Sequence, residues 1–386
     1  MRAEDRAVEY EPAAWVEVDL DAAAHNVRTL KALTPRGCLF MAVVKADGYG
    51  HGAVPVAREA LQAGADCLGV ATVEEAVELR AAGITAQVHL LSQPPASAVS
   101  LVAQHNIVPA LFTLDFARAL GAVAAAAGRM VPFHLKVDTG MNRIGVRAED
   151  AWDLARALRE VPGITLGGVF THFATADTPG DQGFARQAER FEAALLRLRA
   201  EGIGTGVVHA ANSAATILHP RTHHDMVRCG IAIYGLHPSE ATRQRVGLAP
   251  SMSVKARISR VKRIDTGGGV SYGFTYCASA PTAIATLPLG YADGVHRAGS
   301  NRMHVIIGGS PCRQVGRVCM DQFMVEVPPG LEVRAGDVAV LVGVQGDARI
   351  LMDELASAAG TINYETACAF ALRMPRRYVR GGGRVS

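Results

Sequence analysis

Residues 42–52 read Ala-Val-Val-Lys-Ala-Asp-Gly-Tyr-Gly-His-Gly, where an apolar run ends at a single lysine, Lys45, and a glycine-rich turn follows. A short apolar run bounded by glycine is typical of a fully buried strand. A lysine at the end of such a strand would reach into the cleft beyond the sheet, where loss of water lowers its basicity and makes its amine a nucleophile. From this stretch alone, a surface lysine before a flexible turn remains the alternative.

The composition limits the classes of protein to consider. The 386 residues suggest two or three domains, or a barrel with an addition, and a net charge of +3 argues against nucleic acid or a membrane surface as partner. The seven cysteines are scattered and never form a C-x-x-C pair, which favours a reduced, cytoplasmic protein without a disulfide framework or zinc site. The acidic start lacks the apolar core of a signal peptide, and no run of ~18 apolar residues predicts a membrane span.

A strand-then-helix rhythm follows a flexible leader, residues 1–13. Apolar runs separated by helical stretches predict eight parallel strands, at 38–45, 67–71, 88–91, 108–112, 133–138, 166–173, 207–212 and 226–234. Eight such strands within ~200 residues favour a closed (β/α)8 barrel, and we place it at residues 14–247. The first strand-to-helix turn has no G-x-G-x-x-G, which counts against a dinucleotide fold.

The residue pattern changes after residue 247. Helical periodicity gives way to β-rich runs separated by glycine and proline, at 251–264, 282–289, 304–307, 314–318, 323–327 and 338–342, with a helix at 352–359. Residues 248–386 are therefore predicted to form a mostly antiparallel β domain. The fold class is α/β: an N-terminal (β/α)8 TIM-like barrel followed by a C-terminal, mostly-β domain.

Functional groups in such a barrel gather where its strands end. The predicted strand ends carry Lys45 and Tyr49, Lys136, Asp138 and Arg143, His172 and Asp177, His209, Asn212 and Ser213, and Arg228. This set is cationic and has no evident pair of catalytic acids. His223-His224-Asp225 resembles a metal-binding set, but adjacent residues of a strand point to opposite faces, which disfavours a metal site there. A lysine, hydroxyls and the opened backbone at Gly230 and Ile231 suit a ligand with a carbonyl and a phosphate, which pyridoxal phosphate combines.

Stretch 42–52 resembles the pyridoxal-lysine motif of the bacterial alanine racemases, a barrel-type (fold III) family. Further blocks resemble the family in its own order: 136–146, 171–177, 211–214, 226–235, 270–273, 288–294, 316–322 and 363–365. The resemblance covers nearly the whole chain. Two departures are mild, since Asp47-Gly48 stands where many members have Asn-Ala, and Asn142 where many have glycine.

The resemblance implies a role for each matched residue. Lys45 would bind the cofactor aldehyde and act as one base, with Tyr272 as the acid or base on the opposite face. Arg143 would support the Tyr272 phenolate and the substrate carboxylate. Arg228 would face the pyridine nitrogen and keep it unprotonated, and His172 would hold Arg228. The other implied cofactor-binding residues are Tyr49, Asn212, Ser213, Gly230, Ile231 and Tyr364.

The resemblance also implies substrate contacts, a modification and a partner. Met320 and Tyr291 would contact alanine, and Lys136 would be carbamylated as in some relatives, while no metal is expected. A second copy of the chain would form a head-to-tail homodimer with shared active sites, to which residues 248–386 contribute Tyr272. The implied activity is racemisation of alanine for peptidoglycan.

Three alternatives remain from the sequence. A serine or broad-specificity amino-acid racemase would keep the same fold and cofactor, and an amino-acid decarboxylase would keep the same architecture. A pyridoxal-phosphate carrier would be a barrel without the second domain, so residues 248–386 argue against it.

Overall fold

The computed structural model describes residues 11–370, 373–381, 383 and 384, and the chain divides into two compact units. The first unit is Leu20–Ser251. The second combines the chain up to Asp19 with the chain from Met252 onward. Of the predicted leader 1–13, residues 1–10 lie outside the described residues, and residues 11–13 lead directly into a strand.

Eight parallel strands form the sheet of the first unit. They are Leu39–Val43, Cys67–Val70, Gln87–Leu90, Ile107–Leu111, Val131–Asp138, Ile164–Phe170, Val207–His209 and Met226–Cys229. The first seven pair in chain order, each with the next, and the eighth pairs with the first. A two-residue strand, Val146–Arg147, adds to the end of the fifth. The eight predicted strands are confirmed, with ends that differ by a few residues.

Single hydrogen bonds close the remaining seam, between the seventh and eighth strands. The Asp225 amide donates to the Val208 carbonyl at 3.0 Å, and the Arg228 amide donates to the Ala211 carbonyl at 2.9 Å. The sheet is therefore a nearly closed barrel. Its strands are apolar almost throughout because a barrel strand is covered by helices outside and by packed side chains inside.

Helices separate the barrel strands. They are Leu20–Lys31, Ala53–Gln62, Val73–Ala81, Val99–Gln104, Leu114–Ala126, Ala151–Arg159, Gln182–Ala200, Ser213–Leu218 and Glu240–Arg243. Local sequence sets their starts: Thr72 and Glu75 form a capping box at one helix, and the Asp181 carboxylate accepts the Phe184 amide at another. No helix among the described residues is long and apolar enough to span a membrane.

A mostly antiparallel sheet forms the second unit. Its strands are Ala14–Asp19, Met252–Arg257, Arg260–Ile264, Thr282–Leu287, His304–Ile307, Ser310–Val315, Phe323–Val327, Val338–Gln345, Ala348–Ile350, Arg376–Arg380 and Gly383–Arg384. A separate pair, Gly269–Val270 with Tyr276–Cys277, carries a tight turn between its strands. Two helices, Met352–Ala359 and Asn363–Ala369, complete the unit.

The structure differs from the sequence expectation at residues 14–19, which were placed with the barrel. Ala14–Asp19 pairs antiparallel with Met252–Arg257 and parallel with Arg376–Arg380. Three of its six residues are only partly buried, which suits a sheet with one face nearer to solvent, whereas most residues of the barrel strands are buried. The boundaries between the two units therefore follow Asp19 and Ser251 in the sequence, not residues 13 and 247.

Candidate active site

The first barrel strand runs into a turn of left-handed helix that begins at Lys45. Ala46, Asp47 and Gly48 have φ of 53°, 51° and 59° with ψ of 52°, 49° and 43°, and Tyr49 has φ of 52°. This conformation costs a non-glycine residue roughly 1–2 kcal/mol. A run of such residues persists only where the surroundings hold it, and strain of this kind concentrates at functional sites.

Three side chains hold this turn. Glu75, from the capping box of the helix Val73–Ala81, accepts the Ala46 amide at 2.6 Å, and Asp47 accepts the Ala53 amide at 2.9 Å. The buried His51 ring places Nδ1 3.1 Å and 2.9 Å from the carbonyl oxygens of Gly48 and Tyr49. The turn is thus a fixed element rather than a flexible one, and Lys45 occupies its first position.

Tyr49, Ser213 and Gly230 meet beside this turn. A Cβ at Gly230 would lie 2.5 Å from the Tyr49 hydroxyl oxygen, so only glycine leaves the room that the hydroxyl uses. The Gly230 amide donates to the Ser213 hydroxyl at 3.0 Å. The buried Ile231 begins the 3-10 turn Ile231–Tyr234. Asn212 caps the helix that Ser213 begins, where its Oδ1 accepts the Ala215 amide at 3.0 Å. Two hydroxyls and an uncovered backbone make a pocket suited to phosphate oxygens.

Arg228 lies in the eighth barrel strand as a buried cation. Its guanidinium donates to the carbonyls of Thr171 and Ala210 at 2.9 Å and 3.0 Å and to Nδ1 of His172 and His209 at 3.2 Å and 3.1 Å. Among the described residues, none of these partners is a carboxylate. Burial lowers the pKa of Arg228 to about 10, so it stays charged at neutral pH. The charge is consequently not neutralised by an acid.

A chain of buried histidines extends from Arg228 through the barrel. His209 Nε2 lies 2.7 Å from His134 Nδ1, the rings of His134 and His89 are 4.7 Å apart, and His89 Nε2 lies 3.0 Å from Gln87 Oε1. Because arginine only donates, His209 must accept at Nδ1 and carry its proton on Nε2, which then donates to His134. Burial and neighbouring positive groups lower the pKa of His209, His134 and His89, that of His134 to about 4. All three histidines are neutral at pH 7.

Burial and Arg228 also lower the pKa of His172, and the charges of Lys136, Arg143 and Lys45 contribute to this shift. Since Nδ1 of His172 accepts from Arg228, the neutral ring must carry its proton on Nε2. His172 therefore presents a donor on the side away from Arg228. The contributions of their charges indicate that Lys45 and Arg143 lie near His172.

Lys136 is buried in the fifth strand, 4% exposed. Burial, Arg228 and Arg143 together lower its pKa to about 7, against the opposing effect of Asp138. Its ammonium donates to its neighbour's carbonyl, Val137 O, at 3.3 Å. The neutral amine of Lys136 is therefore far more abundant at pH 7 than that of an ordinary lysine.

The loop with Arg143 folds around Asp138. The Asp138 carboxylate accepts the amides of Gly140 and Asn142 at 3.0 Å and 3.1 Å. Asn142 has φ of +55°, a conformation that asparagine tolerates better than most residues. Arg143 itself is exposed.

Four predicted site residues lie in the second unit. Tyr272 is 71% exposed in a 3-10 turn, Tyr291 is 43% exposed and Met320 is 53% exposed. Phe274, 69% exposed, belongs to the same turn as Tyr272. Tyr364 lies half-buried in the helix Asn363–Ala369. The large exposed apolar area at these residues marks a surface suited to contact with another molecule.

His223, His224 and Asp225, which resemble a metal-binding set in the sequence, contact different partners. His223 Nε2 lies 2.9 Å from the Thr216 carbonyl, His224 lies 3.5 Å from Glu192, and Asp225 accepts the Val208 amide. Within the described part of the chain, no group of three or more potential ligands is arranged for a metal ion.

Family models match both units of the chain. The model described as alanine racemase, N-terminal domain, matches residues 18–238, and the model described as alanine racemase, C-terminal domain, matches residues 251–378. The chain belongs to the alanine racemase family. Among similar members of the family, the alanine racemase of Symbiobacterium thermophilum is 48% identical over 94% of this chain and 96% of its own. That of Desulfosudis oleivorans is 46% identical over 95% of this chain and 97% of its own.

Solved structures from the family share the fold. The alanine racemase of Bacillus anthracis with bound L-Ala-P superposes with a TM-score of 0.92 at 37% identity, covering 98% of each chain. The alanine racemase from a D-cycloserine-producing Streptomyces lavendulae gives a TM-score of 0.91 at 40% identity, covering 97% of this chain and 98% of its own. The expected family and fold class are thereby confirmed.

The first unit has groups that fit the cofactor expected from the family resemblance. An uncompensated buried guanidinium suits an unprotonated ring nitrogen, and the glycine cradle beneath the Tyr49 hydroxyl suits a phosphate. The sequence analysis gave roles to Arg228 and His172, placed His209 at a strand end without a role, and overlooked His134 and His89. The available signal was a polar side chain in an otherwise apolar strand, such as His134 two residues before Lys136.

Proposed function

We propose that the protein uses pyridoxal phosphate to interconvert L-alanine and D-alanine, supplying D-alanine for peptidoglycan. The observation that carries this proposal is the buried Arg228, whose partners are carbonyls and neutral histidines instead of an acid. A buried charge of this kind is costly unless a ligand uses it. Relatives of this chain that are named alanine racemases support the reaction, and the family resemblance supports the cofactor.

The cofactor would be held from three sides. Lys45 would anchor its aldehyde, and Arg228, oriented by His172 and His209, would donate to its ring nitrogen. Its phosphate would contact the other proposed residues: Tyr49, Ser213, Gly230, Ile231 and, on family resemblance alone, Tyr364, with Asn212 supporting this wall. When bound, pyridoxal phosphate supplies an electron sink that makes the substrate Cα–H bond acidic.

Two bases on opposite faces would carry out the proton exchange. Lys45 Nζ would remove or return the proton on one face of Cα, and Tyr272 Oη would do so on the other. Arg143 would stabilise the Tyr272 phenolate and bind the substrate carboxylate, and Met320 and Tyr291 would contact the substrate. Arginine donates without giving up its proton, so Arg228 leaves the ring nitrogen unprotonated, which weakens the electron sink and limits side reactions.

Lys136 would be carbamylated. Its neutral amine would attack CO2, forming an N–C bond and releasing one proton, to leave a carbamate anion that pairs with Arg143. The lowered pKa, about 7, supplies the neutral amine that this step needs. Carbon NMR of protein equilibrated with 13C-bicarbonate tests this proposal: a carbamate signal that is absent from Lys136→Met supports it, and identical spectra contradict it.

A second copy of the chain would bring Tyr272 to the site. Tyr272, Phe274 and Met320 are large apolar side chains left exposed in one chain, of the kind that a homodimer covers. The dimer would be head-to-tail with two shared sites, and a monomer would be inactive. Six cysteines are free thiols, Cys38, Cys67, Cys229, Cys277, Cys312 and Cys319, which supports a reducing, cytoplasmic location.

A serine or broad-specificity amino-acid racemase is the alternative substrate class within the same fold and cofactor chemistry. The side chain of serine differs from that of alanine by one hydroxyl, which a small apolar site rejects only weakly. Comparing kcat/KM for alanine, serine and larger amino acids decides between them.

Absorbance and chirality together test the proposed function. The purified protein should absorb near ~420 nm with pyridoxal phosphate and racemise alanine in both directions. Lys45→Ala should abolish borohydride-trapped cofactor, and Tyr272→Phe should keep the absorbance but lose most L-to-D turnover. Trapped cofactor in Lys45→Ala would show that the anchor is another residue, and full turnover in Tyr272→Phe would rule out the two-base scheme.

A further inference from the structure

Two turns of the second unit, residues 290–294 and 319–321, carry the proposed substrate contacts Tyr291 and Met320. The Tyr291 amide donates to the Cys319 carbonyl and the Ala292 amide to the Met320 carbonyl, both at 3.0 Å. Gly290 allows this approach, because a Cβ there would lie 2.1 Å from the Met320 carbonyl oxygen. The positions of Tyr291 and Met320 are therefore coupled.

Arg373 ties the same two turns together through their side chains. Its Nε and Nη2 donate to the two oxygens of the Asp293 carboxylate at 2.6 Å and 3.0 Å, and Nη2 also donates to Asp321 at 2.7 Å. Asp293 belongs to the first turn and Asp321 to the second. The Asp293 carboxylate also accepts the Gly290 amide, at 2.8 Å, and so closes its own turn.

Asp293 is one of the two buried carboxylates among the described residues, the other being Glu59. A buried carboxylate is costly unless it is paired and hydrogen-bonded. The planar guanidinium of Arg373 meets it with two parallel bonds and has a donor left for the exposed Asp321, whereas a lysine ammonium is a single point charge. The two carboxylates raise the pKa of Arg373, so its guanidinium stays charged at neutral pH.

We propose that Arg373 is a positioning residue that locks the Tyr291 turn to the Met320 turn and thereby sets the width of the surface presented to the substrate. This rests on the proposed function, in which Tyr291 and Met320 contact alanine. Arg373 itself touches neither substrate nor cofactor. Replacing Arg373 would change how the substrate fits against Tyr291 and Met320, and it would leave Lys45, in the first unit, unchanged.

The test is Arg373→Lys in the cofactor-loaded dimer, which keeps the positive charge and removes the fork. We expect KM for alanine to rise about tenfold with a smaller change in kcat, and the preference for alanine over serine to fall, because the contact surface loosens. Absorbance near ~420 nm should match the wild type. Arg334→Lys is the matched control, an exposed arginine of the same unit paired to Glu332, and should change nothing.

Hydrogen exchange gives a readout independent of catalysis. Amides of residues 291 and 292 should exchange faster in Arg373→Lys than in the wild type and Arg334→Lys, and Asp321→Asn should show a smaller change because the Asp293 pair remains. Unchanged exchange and unchanged KM in Arg373→Lys would overturn the proposal. A wild type that does not racemise alanine would instead refute the proposed function, with the exchange comparison still deciding whether Arg373 locks the two turns.

Discussion

At the scale of single residues, the hydrogen bonds that Arg228 donates determine which nitrogens of the buried histidines carry protons. A guanidinium cannot accept, so it sets which nitrogen of His172 and His209 is protonated, and His209 in turn sets His134. Neutral histidines can accept from Arg228 without cancelling its charge. A carboxylate in place of His209 would pair with Arg228 and weaken its field at the proposed ring nitrogen.

The buried histidines predict a loss of stability in acid. The folded-state pKa of His134 is about 4 against 6.5 for an ordinary histidine, so the unfolded chain binds more protons between these values. The stabilisation is complete above pH 6.5 and is lost as the pH falls towards 4, amounting to about 3 kcal/mol for His134. Urea unfolding at pH 7.5, 6 and 5 should show this decline.

His134→Phe isolates this contribution. It should lower the free energy of unfolding at pH 7.5 by roughly 1–3 kcal/mol, because His209 loses the acceptor for its buried N–H. It should also make the decline between pH 7.5 and 5 shallower. The exposed His25, changed to Phe as a control, should retain the wild-type decline. An equally steep decline in His134→Phe would contradict neutral burial of His134.

The sequence identified individual site residues better than their connections. Lys45, Arg228 and His172 stand at strand ends in recognisable blocks, so their identity was predictable. The link from His209 to His134 joins residues 75 positions apart, and no local pattern contains it. Asp47 and Asn142 depart from the residues common in the family, yet φ of +51° and +55° explains why aspartate and asparagine are tolerated there.

At the scale of elements, the left-handed turn from Lys45 to Tyr49 connects the barrel to the proposed chemistry. Its glycines were visible in the sequence, but the left-handed φ of Ala46 and Tyr49 was not, because distant groups such as Glu75 hold it. The continuous apolar runs made the barrel strands predictable. The placement of residues 14–19 could not be predicted, because an alternation of apolar and polar residues reveals a half-buried strand but does not identify its partner strand.

Gly230→Ala tests the fit between this turn and the proposed phosphate pocket. The added methyl would lie 2.5 Å from the Tyr49 hydroxyl and must displace it. We expect the Kd for pyridoxal phosphate, titrated by absorbance, to rise about tenfold, the equivalent of one lost hydrogen bond to a charged group. Gly247→Ala, where nothing lies within 4 Å of the added Cβ, is the control. Equal Kd values for the two variants would argue against phosphate binding at Gly230.

At the scale of the whole molecule, the site residues are divided between two units. The proposed cofactor-binding residues lie in the barrel unit apart from Tyr364, whereas Tyr272, Tyr291 and Met320 lie in the β unit and are exposed. A racemase that uses residues from both units explains the two-domain chain better than a pyridoxal-phosphate carrier does, because a carrier needs only the barrel. It also predicts that activity depends on protein concentration once the dimer dissociates.

Dilution of the wild-type enzyme tests this dependence. Specific activity should fall at concentrations where sedimentation shows monomer, because a monomer would lack the second base. The loss should reverse on reconcentration. Constant specific activity in a fully monomeric sample would show that one chain holds a complete site.

The most direct test mixes two inactive chains. A heterodimer of one Lys45→Ala chain and one Tyr272→Phe chain, purified through two different tags, would contain one site with both substitutions and one with neither. We predict about half the wild-type racemase activity from this heterodimer, although both parent homodimers are nearly inactive. A heterodimer no more active than its parents would contradict the claim that Lys45 and Tyr272 from different chains share one site.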